Sequence, residues 1–289
     1  MSSVLQELVA LLSLEKIEEN LYRGQSQDPG WGTVYGGQVI GQALFAALAT
    51  VPADRPVHSL HAYFLRPGDV SRPIVYQVER TRDGGSFSAR HVTAIQGGQP
   101  IFDMSASFHT VEPGLAHASE MPDVPPPEQA PTEPERYANQ IDRYPPALRD
   151  RILAERPIEW RIVDEPDVFG RTPSAPARHV WFRAPAKLPD TPALHQAMLA
   201  YASDFALVTT SLKPHGTSWL SGKMRIASVD HAIWFHAPFR ADEWLLHTMV
   251  SPWAGGARGL ALGRIYTRDG VLVASTAQEG LIRRKDQLN

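Results

Sequence analysis

The sequence repeats itself at a fixed spacing, and this limits what it can fold into more than any other feature. HAYFLRPG at 61–68 precedes GGSFSARHVTAIQGGQPIFDMSASF at 84–108, and HAIWFHAPF at 231–239 precedes GGARGLALGRIYTRDGVLVASTAQEG at 255–280. Pro67 and Pro238, Gly84 and Gly255, Gly85 and Gly256, Tyr63 and Trp234, and Phe64 and Phe235 all lie 171 positions apart. Several matches at one offset point to a duplicated unit rather than to two unrelated β-rich segments with similar turns.

Each unit reads as one helix followed by several strands. The stretch 36–50, GGQVIGQALFAALAT, carries no charge, and a helix without a charged face is buried all round. Its counterpart is 192–212, which Thr191 can cap, Pro192 can open and Pro214 can stop. Strand-like runs follow at 74–80, 87–96 and 101–109, and again at 244–250, 260–267 and 271–278. Gly97-Gly98 and Asp269-Gly270 supply the hairpin turns. The expected fold is α+β, two tandem units, each a central helix wrapped by a curved antiparallel sheet. The sheets are expected to join edge to edge, because pairing removes an exposed strand edge. Pro122, Pro125, Pro126, Pro127, Pro131 and Pro134 mark an extended linker, placed at 116–150 between units at 1–115 and 151–289.

Composition narrows the chemistry. The 289 residues include no Cys, which excludes disulfides, thiolate nucleophiles and sulfur-based zinc sites. A formal net charge of −3 argues against nucleic acid as a partner. No apolar run approaches the roughly 20 residues that span a bilayer. The first residues lack the basic start and cleavage site of a signal peptide, and Leu5, Leu8, Val9, Leu12 and Leu14 form an amphipathic pattern instead. A soluble, cytoplasmic protein without membrane partner is the expectation. No G-x-S-x-G elbow, P-loop or G-x-G-x-x-G is present. The pairs His58/His61 and His231/His236 have no recognised metal spacing, so neither metal nor cofactor is expected.

Four residues stand out. Asp204 is the only carboxylate between 193 and 212, with Tyr201, Phe205 and Leu207 around it. Burying a carboxylate costs several kcal/mol unless it is hydrogen-bonded, so Asp204 is either a solvated or capping residue or an active-site acid. Gln278 falls on the same strand face as Leu272, Ala274 and Thr276, although alone it reads as a surface glutamine. Ser228 opens a strand and reads equally as a cap or turn residue. His58 is either a general base or a satisfied core histidine.

Together these segments resemble the acyl-CoA thioesterase II family of double-hotdog enzymes. The resemblance runs from LVALLSLEKIEENLYRGQS to VLVASTAQEGLIR and is most specific at VYGGQVIGQAL (34–44), HSLHAYFLRPGD (58–69), RDGGSFSARHVTAIQ (82–96), YASDFALV (201–208), SVDHAIWFHAPF (228–239) and DGVLVASTAQEG (269–280). It implies that Asp204, a hydroxyl residue at 228 and Gln278 act together as the catalytic set. Ser228 stands where many members carry Thr, keeping the hydroxyl but losing the rotamer restriction. It further implies water-mediated hydrolysis of fatty acyl-CoA to free fatty acid and coenzyme A, with the acyl chain in an apolar tunnel. Self-association into a dimer or tetramer is part of the same expectation. Two alternatives remain open. One is a hotdog hydratase or dehydratase, for which the Asp204 helix offers only His195; the other is a non-catalytic acyl-CoA binding protein.

Overall fold

The computed structural model describes residues 2–30, 32–138, 149–150, 153–163 and 171–287. The first unit holds α1 (Ser3–Leu12), β1 (Glu15–Glu18), β2 (Leu21–Gly24), α2 (Gly36–Leu48), β3 (Val57–Phe64), β4 (Ile74–Asp83), β5 (Phe87–Gln96) and β6 (Gln99–His109). α3 (Glu133–Tyr137) falls in the stretch that joins the units, and the second unit holds β7 (Glu159–Ile162), β8 (Ala177–Arg183), α4 (Pro192–Ser203), β9 (Met224–Ser228), β10 (Asp230–Phe235), β11 (Leu245–Gly255), β12 (Arg258–Thr267) and β13 (Leu272–Arg284). β4 and β11 begin 171 positions apart, as do β5 and β12.

All strands join one 13-stranded sheet in the order β1-β2-β4-β5-β6-β3-β10-β13-β12-β11-β8-β7, with β9 on β13. The pairings are antiparallel, and the seam is β3 on β10, where Leu60 faces Ile233 and Ala62 faces His231. This is the double hotdog, its two sheets fused along one edge as expected. Gly97 and Gly98 both take left-handed φ, 58° and 76°, which closes the β5–β6 hairpin. No helix among the described residues is long and apolar enough to cross a membrane.

The uncharged helix α2 is the centre of the core: all of residues 37–44, Ala46 and Ala47 are buried. Its two glutamines do not break the apolar environment, because both are bonded. Gln42 Nε2 donates to Leu11 O (2.6 Å) and its Oε1 accepts from Tyr76 Oη (2.6 Å), while Gln38 Nε2 donates to Gln25 O (3.1 Å). α2 packs antiparallel on α4 at the close approach that two glycines permit. A Cβ on Gly37 would lie 2.1 Å from Tyr201 O, and one on Gly41 would lie 3.0 Å from Ala197 O.

One element departs from expectation. The second helix stops at Ser203 rather than running to 212. Ala206 takes φ 64°, a left-handed conformation that an α-helix cannot continue through, and Val208–His215 follows as a 3₁₀ segment. Thr191 does not cap with its side chain; its carbonyl accepts from Leu194 N and His195 N. Of the Pro-rich stretch, residues 110–126 carry no regular element and lie against the second unit. Trp181 Nε1 donates to Pro125 O (2.9 Å) and Tyr266 Oη to Glu120 O (3.1 Å). Residues 139–148 of the expected linker lie outside the described residues.

Candidate active site

Asp204 is not within the helix but at its C-terminal cap, half-buried. There it faces the negative end of α4 and, across the inter-unit packing, the positive end of α2. Three donors converge on the carboxylate. Gly37 N–H donates to Oδ2 (3.0 Å), Gln278 Nε2 to Oδ1 (2.6 Å) and Ser228 Oγ to Oδ1 (3.3 Å). The α2 start has no side-chain cap of its own, so Asp204 satisfies one of the orphan N–H groups every helix leaves at its start. Asp204 therefore both caps another element and gathers the other two candidates. Gly36 must be glycine here, since a Cβ would fall 2.7 Å from Asp204 Oδ2 and 3.0 Å from the Phe64 ring.

Gln278 is 1% exposed, which excludes the surface reading. β13 alternation turns Ala274, Thr276, Gln278 and Gly280 inward. Its Oε1 is buried and has no hydrogen-bond partner. Ser228 ends β9 opposite Gly280, next to the seam where Phe64 N–H donates to Val229 O. Tyr35 and Tyr201 meet edge to face beside the carboxylate, their ring centroids 5.1 Å apart, and burial pushes the Tyr201 hydroxyl up to about 12.

His58 is elsewhere. It bonds Ser107 Oγ (2.8 Å) and touches Phe87 and His109, all in the first unit. Six strand residues, roughly 20 Å, separate it from Phe64 at the Asp204 end of β3. Burial, and then the charge of His109, lower its pKa. His195 is also apart from Asp204; its Nδ1 accepts from Ala241 N (3.1 Å) near the opposite end of α4.

Sequence reasoning missed two contributions. The Gly37 amide belongs to the backbone and comes from 167 residues away. The other is His231, 1% exposed, which bonds Ser203 Oγ (2.8 Å) directly beneath Asp204. Burial lowers His231 to about 4, with the Asp204 charge acting the other way. Among the described residues no group of three or more potential metal ligands occurs.

Two family models match the chain. The model for the acyl-CoA thioesterase N-terminal domain matches residues 27–109, and the acyl-CoA thioesterase model matches residues 148–281. Acyl-CoA thioesterase 2 of Haemophilus influenzae is 44% identical over 283 residues, covering 98% of this chain and 99% of the relative. The chain belongs to the acyl-CoA thioesterase family. Human acyl-coenzyme A thioesterase 8 is 43% identical over 290 residues, covering 98% of this chain and 90% of the human one. A solved acyl-CoA thioesterase II, TesB2 from Mycobacterium marinum, superposes with a TM-score of 0.80 at 41% identity, covering 98% and 99% of the two chains. As a family member the chain is a thioester hydrolase, and the convergence on Asp204 joins parts of both matched regions.

Proposed function

We propose that this thioesterase hydrolyses fatty acyl-CoA to free fatty acid and coenzyme A by water activated at Asp204. The observation that carries the reading is the convergence of Gly37, Ser228 and Gln278 on one carboxylate. With no Cys in the chain, water is the simplest nucleophile. A water molecule donates one proton toward Asp204 and the other toward Gln278 Oε1, the buried acceptor that otherwise lacks a partner. Ser228 and Gln278 hold the carboxylate in one orientation. As water oxygen attacks the thioester carbon, its proton passes to Asp204. The tetrahedral intermediate then collapses, the carbon–sulfur bond breaks, and the leaving sulfur takes the proton. The N-terminus of α2, the positive end of its dipole, faces the same site and stabilises the developing oxyanion.

The hydratase alternative needs a His paired with the helix carboxylate, and His195 instead pairs with Ala241. A binding protein that had lost its chemistry would have no use for the bonded Asp204, Ser228 and Gln278 set. The test is release of free thiol from palmitoyl-CoA, followed with a thiol reagent. Release at a rate proportional to enzyme supports the reading, and none under any chain length refutes it. We further propose a cytoplasmic location, a part in fatty-acid metabolism and association as a dimer or tetramer. We also divide the chain at 1–115, 116–150 and 151–289, with one site per chain. Light scattering tests the association.

A further inference from the structure

The sheet is interrupted beside Gln278. β13 pairs with β10 over 274–277 and with β9 over 280–284, so Gln278 and Glu279 lie between the two partners. On their other side both stay in register with β12, Gln278 opposite Ala261 and Glu279 opposite Leu260. Val229 joins β9 to β10 and stands across from Glu279. A hydrogen-bonded pair in an antiparallel ladder exchanges two main-chain bonds. Here only one forms. Val229 N–H donates to Glu279 O (3.0 Å), but Val229 O has turned to the first unit, where it accepts from Phe64 N–H (2.9 Å). Joining the units at this point leaves the Glu279 N–H without its strand carbonyl.

Asp230 supplies the missing acceptor. Its Oδ1 accepts from Glu279 N–H at 2.6 Å, a short, charge-assisted bond. The carboxylate is half-buried. Burial raises its pKa most, the Glu279 amide lowers it, the Glu279 charge raises it and the His61 charge lowers it. A carboxylate held against its desolvation has to be bonded, and the Glu279 amide is that bond. The first unit has an irregularity at the same place without the carboxylate. Its β3–β6 register shifts between Val57 and Ser59, and Ser59 is the residue 171 positions before Asp230.

The bonded N–H belongs to the planar peptide group that follows Gln278. Holding that plane fixes the backbone at Gln278, and with it the direction in which the side chain leaves the strand. Gln278 Nε2 in turn meets Asp204 Oδ1 at 2.6 Å. On the other flank of Val229, Ser228 reaches the same oxygen at 3.3 Å. We infer that Asp230 is a positioning residue for the hydrolysis: by completing the ladder across the break at Val229, it aims Gln278 at Asp204. This rests on the thioesterase reading and extends it to a side chain that acts only through its neighbours.

The test is thiol release from palmitoyl-CoA, with folding checked by circular dichroism. Asp230→Ala should lower kcat about tenfold or more and move KM less than about twofold. Asp230→Asn keeps an acceptor oxygen in the same place and should stay within about threefold of the wild type. Asp230→Ser copies the first unit, keeps the position polar should alanine fail to fold, and places its hydroxyl one bond short. It should lose kcat as alanine does. In a Gln278→Ala background, Asp230→Ala should cost less than about twofold more, because Gln278 is the route by which it acts. A wild-type kcat in Asp230→Ala or Asp230→Ser overturns the assignment and leaves the thioesterase reading intact. So does an Asn variant as slow as the Ala variant, or an undiminished tenfold loss in the absence of Gln278. If the wild type releases no thiol, the thioesterase reading fails, and hydrogen exchange at the Glu279 amide decides whether Asp230 holds it. Faster exchange in Asp230→Ala than in the wild type and Asp230→Asn upholds the hold on Gln278; equal exchange overturns it.

Discussion

At the cap of α4 stands Asp204; at the matching cap of α2 stands Ala49. The strands carry the contrast further. At the offset of 171, Ser228 corresponds to Val57, Gln278 to Ser107, and Ala261 to Arg90. The first unit thus lacks each polar group of the Asp204 cluster. In its place a buried Arg90 donates to Thr50 Oγ1 (2.8 Å), Thr50 O (3.0 Å) and Asp83 Oδ1 (2.7 Å) at the end of α2. A guanidinium at a helix C-terminus complements the helix dipole, so this end is stabilised and closed. The helix starts differ too. α2 opens with Gly36-Gly37, and the Gly37 amide donates to Asp204, whereas α4 opens with Pro192, which has no N–H. The two units offer equivalent places, and the residues at their helix ends build the Asp204 cluster in only one of them.

The largest test of this asymmetry is Asp204→Asn, which gives the second unit the uncharged cap of the first. Its kcat should fall roughly 10²–10⁴-fold with the fold kept, read by thiol release and circular dichroism. Full activity in the folded variant would remove Asp204 from the chemistry. Next, Gln278→Ser, which copies the first unit, should lower kcat about 10²-fold, while Ser107→Ala in the first unit should change it less than about twofold. Equal effects would mean that both ends take part. Gly37→Ala places a Cβ against Tyr201 O, forcing α2 from α4 and costing about 1–3 kcal/mol or more, visible as a lowered Tm together with lost activity.

Acid should then separate the units. Burial lowers His231 to about 4, and burial with the His231 charge lowers His247 to about 3, where the first unit has Leu60 and Tyr76. Between these values and the unfolded pKa near 6.5 the unfolded chain binds more protons than the folded one. The stability linked to this pair is thus complete above pH 6.5 and lost as pH falls toward 4, at about 1.4 kcal/mol per pH unit for each histidine. His231→Leu should reduce the slope measured by urea unfolding at pH 7, 6 and 5 by up to about 1.4 kcal/mol per pH unit; Ser203 keeps its bond to Ala200 O. An unchanged slope would place the acid sensitivity elsewhere. Smallest is Ser228. Ser228→Thr should stay active and Ser228→Ala should lose up to about tenfold in kcat, in keeping with one long hydrogen bond of 3.3 Å. Wild-type rates in Ser228→Ala would make the hydroxyl dispensable.

The strands were readable because a fixed offset and period-two alternation are both written in side chains. The 87–96 run and the strand at Phe87–Gln96 coincide. The end of α4 was not readable. Eight residues join α2 to β3 but twenty join α4 to β9, so the first unit gives no guide there. The helix also breaks at an alanine, Ala206, which carries no local signal for left-handed backbone. Asp204 was conspicuous as a lone carboxylate among apolar residues, and Gln278 by its strand face. Ser228 drew weight only from family resemblance. The Gly37 contribution leaves no side-chain trace at all. His58 shows the opposite failure, a conspicuous residue whose partners are Ser107 and the aromatic rings near it.

The seam between β3 and β10 has a consequence for how the enzyme responds to concentration. Were the two units separate chains, the contact between Asp204 and the Gly37 amide would form by collision, and dilution would dissolve it by mass action. Here both partners travel on one polypeptide, so their encounter is intramolecular and its effective concentration is set by the chain itself. Formation of this contact is therefore independent of how many molecules are present, down to dilutions at which a two-chain version would lose it.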